Sequence, residues 1–77
     1  MAKATVSVVQ KFWCGEPDPC DICSKPFTTR FTDGRTSSGQ WANACVPCAK
    51  SYGMKLGQGI GQQYDKQPDG RWLKTGG

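Results

Sequence analysis

Five cysteines stand in this sequence of 77 residues, and four of them form two pairs with the same spacing. Cys20 and Cys23 enclose two residues, 21 residues follow, and Cys45 and Cys48 again enclose two. A Cys-x2-Cys segment folds into a tight turn that brings two sulfurs to one side. Two such turns complete a tetrahedron of thiolates around one metal ion, with metal–sulfur distances of about 2.3 Å. One Zn2+ per chain, held by Cys20, Cys23, Cys45 and Cys48, is the expected cofactor. A mononuclear iron centre takes the same four ligands, so the ligand set is better specified than the ion. Four thiolates leave no open coordination position, which makes the expected site structural rather than catalytic. A disulfide framework is the competing reading and needs an oxidising compartment. The odd cysteine count and the polar residues interrupting the apolar ones after Met1 argue against export, so a reduced, cytoplasmic setting is expected.

Other residues spell chemistry without supplying its context. Cys14-Gly15-Glu16 and Pro19-Cys20-Asp21-Ile22-Cys23 carry the letters of a zinc deaminase site, yet only two residues separate Glu16 from Pro19. Deaminases place those halves on separate helices of a larger domain. Trp13-Cys14-Gly15 begins like a redox motif, but the next cysteine is six positions on rather than three. Cys14 is therefore expected to be a small buried hydrophobe beside Trp13, with a spare ligand exchanging with Cys20 as the alternative. Gly57, Gly59 and Gly61 lack the preceding strand and following Lys-Ser/Thr of a phosphate loop, and read as a flexible connector. There is no histidine, which removes the usual general base at neutral pH. No enzymatic activity is expected.

The elements that must position the cysteines are short. Residues 5–13 are rich in β-branched and aromatic side chains and read as a strand, followed by a Pro/Gly loop over residues 14–20. Residues 25–32 and 39–44 read as two strands joined across residues 33–38, with Phe27, Thr29 and Phe31 on one face. Pro47 favours a first helical turn and Gly53 or Gly57 an end, which predicts a helix over residues 47–56 with Ala49, Tyr52 and Leu56 inside. Gln67-Pro68-Asp69-Gly70 is a strong turn between strands at 63–66 and 71–75. The expected fold is a small α+β, zinc-stabilised finger of knuckle, β-hairpin and short helix, with an N-terminal strand and a C-terminal hairpin. Residues 1–77 are expected to form a single zinc-binding domain, with the finger core at 20–56 and a Gly-rich arm and hairpin at 57–77.

Composition agrees with a stapled mini-domain. Only 36% of the residues are hydrophobic, against ten glycines and five prolines, so the core needs a metal's help. This length leaves no room for a Rossmann or barrel enzyme, and no apolar run approaches the roughly 20 residues of a membrane-spanning helix. The formal charge of +4 falls to +2 once a divalent ion and four thiolates are counted. It is unevenly spread, −1 over residues 1–23 and +5 over residues 24–77. An anion-binding surface is expected on the later part.

Cys20-Asp21-Ile22-Cys23, Gly39-Gln40-Trp41-Ala42-Asn43-Ala44-Cys45 and Cys48-Ala49-Lys50-Ser51-Tyr52 resemble GATA-type and related four-cysteine treble-clef fingers, over about residues 20–56. The spacer is longer here, Val46-Pro47 lies inside the second pair, and a long basic tail is absent. The stretch from Gly39 through Leu56 to Tyr64 also resembles short zinc-finger proteins of bacteriophages, which implies a host cytoplasm. The resemblance implies a treble-clef fold with a structural ion. Treble-clef nucleases need the histidine this chain lacks.

Cations and rings interleave at residues 25–31, 50–55 and 71–74, a mixture that neutralises phosphates while offering faces for bases. Nucleic acid is therefore the first expected partner, through Arg30, Arg35, Lys50, Lys55, Arg71 and Trp72. The alternative partner is a host protein, docked through an exposed Trp72 and the Gly-rich arm. Neither a membrane nor a small-molecule substrate is expected.

Overall fold

A computed structural model describes residues 11–77, so the strand expected at 5–13 falls mostly outside the described residues. The elements are β1 (Arg30–Arg35), β2 (Trp41–Ala44), α1 (Val46–Ser51), β3 (Gly61–Lys66) and β4 (Trp72–Gly76). All strand pairs are antiparallel and the sheet order is β2-β1-β3-β4. This is the small α+β class expected. The C-terminal hairpin forms around residues 67–70 as predicted, but it is no separate arm, because β3 pairs with β1 along Arg30–Asp65 to Gly34–Gly61. Residues 11–13 run beside β4, through Trp13 N–H to Trp72 C=O at 2.8 Å and Lys74 N–H to Lys11 C=O at 2.7 Å.

Strand alternation sends side chains to two faces, and each face buries its own cluster. On one, Phe31, Tyr64 and Trp72 pack with Trp13 and Phe27; Phe31 and Tyr64, directly opposite in register, stack with centroids 5.1 Å apart. On the other, Cys20, Ala44 and Ala49 pack with Ile22, Phe27, Cys45, Cys48 and Met54. Phe27 belongs to both clusters while lying outside any strand, so the expected strand at 25–32 starts only at Arg30.

The Asp33-Gly34-Arg35 segment, expected as a turn, is strand, and the chain turns over residues 36–40 instead. Gly34 serves close approach here, since a Cβ on it would lie 2.9 Å from both the Gly61 Cα and the Ile60 oxygen. The connector at residues 57–61 is likewise ordered. Gly57 and Gly61 exchange N–H···O bonds of 2.9 and 3.0 Å around a tight turn that feeds β3.

Helix α1 is shorter than predicted. Gly53 takes φ +66°, Met54 N–H returns to Ala49 C=O at 2.9 Å and Gly53 N–H to Lys50 C=O at 3.3 Å, which closes the helix as a Schellman cap. Ala49 is buried as expected, whereas Tyr52 and Leu56 are exposed because the chain has left the helix before either could face inward.

Candidate metal centre

The first cysteine pair sits in a knuckle. Ser24 N–H bonds Cys20 C=O at 2.9 Å, Cys20 N–H bonds Lys25 C=O at 2.9 Å, and Ser24 takes φ +67° to complete the turn. Asp21 docks this knuckle against β2 by accepting Asn43 N–H at 2.8 Å and donating its own N–H to Asn43 C=O at 2.9 Å. The second pair lies where β2 becomes α1. Cys45 is the extended N-cap residue, Pro47 occupies the first turn without forfeiting a helical bond, and Cys48 follows one turn along.

The four Sγ atoms lie within 4.8 Å of one another, and Cys23 Sγ is 3.7 Å from Cys45 Sγ. Sulfurs around a tetrahedral ion with 2.3 Å bonds are ~3.8 Å apart, so the spacing fits one metal ion. Backbone N–H groups of Ile22, Cys23 and Cys45 point at Cys20 Sγ, at 3.4, 3.5 and 3.4 Å. These donors favour a thiolate and orient its lone pairs, the role that outer-sphere hydrogen bonds play at metal sites. Burial pushes the Cys20 thiol up, but the donors from Cys23, Cys45 and Ile22 outweigh it and bring the group down to about 6. Cys48 moves the other way, to about 12, through its hydrogen bond with Cys45 and then burial; burial is also the leading cause that raises Cys45. Negative charges this close ionise together only beside a cation. The donor set therefore suits a thiophilic ion that displaces protons as it binds.

Sequence and geometry thus point to the same four cysteines as a group that could hold one metal ion. Comparison with family models, curated proteins and solved structures finds no match. Cys14 is exposed, against the expectation of a buried position, and lies outside the thiol cluster.

The six residues expected to meet a partner do not form one surface. Arg35 and Lys55 line the same cleft, between the β1–β2 turn and the loop after α1. Arg30 and Lys50 line a separate groove beside α1, where Arg30 is already bound to Asp65 through Nε–Oδ1 at 2.6 Å and Nη2–Oδ2 at 3.1 Å. That pairing and its hydrogen bonds hold the Asp65 carboxyl below the ordinary carboxylate range. Arg71 sits at the far end of the β3–β4 hairpin, paired with Asp69 at 2.8 Å and lying 4.1 Å over the Phe12 ring. Trp72 is 2% exposed, which corrects the expectation of an exposed contact ring; its indole N–H donates to Glu16 at 3.0 Å. The exposed tryptophan is Trp41, at 49%, which sequence reading did not single out as a contact. Trp41 begins β2 directly opposite Arg35, at the solvated end of the hairpin.

Proposed function

We propose that this chain is a non-catalytic, zinc-stabilised finger of treble-clef type that binds nucleic acid. Convergence of the four thiols at the junction of knuckle, hairpin and helix is the observation that carries the reading. Zn2+ held by Cys20, Cys23, Cys45 and Cys48 would cross-link those three elements and add folding energy that this small core lacks. Such a closed set of ligands favours a structural role and a reducing compartment. Support for nucleic acid comes from Arg35, Lys50 and Lys55, which have no ion-pair partner among the described residues, and from the exposed rings of Trp41 and Tyr52. Cations of this kind neutralise phosphates, and exposed rings stack on bases.

The test is binding of metal-loaded protein to DNA and RNA over a range of salt. Affinity should fall steeply with salt, and replacing Arg35 and Lys55 together by Glu should weaken binding across sequences and lower the salt slope by about two. A second reading, docking on a protein, is favoured by one observation: Val46 and Leu56 are exposed beside Met54 in the groove along α1. Salt-tolerant, nuclease-resistant capture of a protein partner that is lost in Leu56→Asp would favour it over nucleic acid.

A further inference from the structure

We infer that the groove between α1 and the sheet takes an acidic peptide segment, seating one apolar side chain among Val46, Met54 and Leu56 with a flanking carboxylate at Lys50. This inference rests on the protein-docking reading above and names its occupant.

Strand register and helix spacing build the groove. Thr32 and Gln63 stand opposite one another across β1 and β3, on the face turned away from the stacked Phe31 and Tyr64. Val46, Ala49 and Lys50, three and four positions apart, bring one side of α1 over that face. The chain then reverses at Gly53, and Met54 N–H returns to Ala49 C=O at 2.9 Å. Leu56 ends the wall over β4, where a Cβ on Gly76 would stand 2.9 Å from the Leu56 Cδ1. These side chains of sheet, helix and loop line one concavity of about 220 Å³.

Its wall is apolar. Val46 is 40% exposed and Leu56 45%, and half-buried Met54 joins them. Single exposed apolar side chains are ordinary on a protein surface, whereas three that share one groove mark a contact. The volume lies below the roughly 300 Å³ at which pockets for free small molecules begin, and suits one side chain of a larger partner. No aromatic ring lines the groove, so it offers a nucleic-acid base nothing to stack on.

Charge narrows the partner further. Residues 34–64, which include α1 and the loops around it, hold Arg35, Lys50 and Lys55 and no acidic residue. Lys50 lines the groove from the last turn of α1 and has no ion-pair partner among the described residues. Arg30 lines it too, but its Nε and Nη2 hold Asp65, whose carboxylate also accepts Thr75 Oγ1 at 2.9 Å. That ion pair cancels internally, which leaves Lys50 as the uncompensated charge of the groove. A carboxylate beside the seated side chain meets it without displacing an internal partner. A second copy of this chain would instead bring the Lys50 of each copy to one two-fold interface.

The experiment is methyl-detected NMR on the full zinc-loaded chain. The ligands are an N-acetylated octapeptide of glutamates around two leucines, a counterpart with lysines for the glutamates, another with serines for the leucines, and an oligothymidylate. The glutamate–leucine peptide should shift the methyls of Val46, Met54 and Leu56 together and bind at least about tenfold more tightly than the serine peptide. Leu56→Ala should weaken it about fivefold, and Lys50→Gln about threefold, an effect that fades with added salt. Lys66 lies over the Trp72 ring on the opposite face of the sheet, so Lys66→Gln removes the same charge and should change affinity less than about twofold. If no peptide moves the groove methyls, the docking reading falls and this inference with it. If the lysine peptide binds there as tightly as the glutamate peptide, or Lys50→Gln weakens binding no more than Lys66→Gln, the acidic occupant is overturned while the docking reading stands. Equal binding of the serine peptide overturns the seated side chain. Groove methyls that shift with protein concentration alone, or with the oligothymidylate instead of the peptide, assign the groove to a second copy or to nucleic acid and overturn the inference.

Discussion

Cys20 and Ser24 carry the most specific consequences of single side chains. Cys20 is the buried thiol of the cluster, at which three backbone donors converge, so Cys20→Ala should abolish metal uptake, whereas exposed Cys14→Ala should bind and fold like the parent. Metal content and far-ultraviolet dichroism decide between them, and the reverse pattern would mean that the ligands are misassigned. Ser24 holds φ +67° without being glycine. Ser24→Gly should raise the unfolding midpoint, by up to about 1 kcal/mol in stability, because the left-handed conformation strains a residue with a Cβ. The cluster also fixes a pH dependence. Cys45 and Cys48 are raised, so their thiols are protonated at neutral pH without an ion and must lose protons to bind one. Affinity should therefore rise with pH and fall in acid. Calorimetric titration in buffers of different ionisation enthalpy counts those protons, and a buffer-independent heat would contradict the mechanism. The thiol cluster was legible from sequence because the turn that pairs two sulfurs is local. The exposed tryptophan was not. Trp72 is buried by Phe31, a residue 41 positions away that reaches it only through β1–β3 pairing.

At the scale of elements, two glycines set how closely the strand pair β1–β3 meets the loop after α1. A Cβ on Gly61 would overlap the Lys55 oxygen, and Gly34 faces Gly61 across the pair. Gly61→Ala should cost about 3 kcal/mol or more, since the obstructing atoms are backbone and cannot rotate away. Denaturant unfolding of the metal-loaded protein measures this, and a loss below 1 kcal/mol would show that the loop relaxes freely. The same glycines explain what local reading missed. Asp33-Gly34 carries the letters of a turn, but Gly34 is needed for room between neighbouring chains, a demand that arises only when β3 arrives from 27 residues further on. By contrast the 67–70 turn, the strands around it and the helix start at the second cysteine pair followed from residue types within a few positions.

For the whole molecule, the two apolar clusters are small and lie on opposite faces of one sheet. The thiol cluster belongs to one of them, so removing the ion should unfold the protein rather than loosen a loop. Metal analysis should find one ion per chain, and a strong chelator should collapse the near-ultraviolet dichroism of the aromatic cluster along with the backbone signal. Persistence of the aromatic signal after complete metal loss would show that β1, β3 and β4 fold alone. Phe27 decides which outcome holds. Its ring stacks on Phe31 at 4.7 Å, sits edge-on to Trp72 at 6.4 Å, and also packs against the cluster that contains Cys20, Ala44 and Ala49. One side chain from the loop before β1 thus ties the two clusters together beyond the end of that strand, and trimming it to alanine should turn a single cooperative melting transition into two.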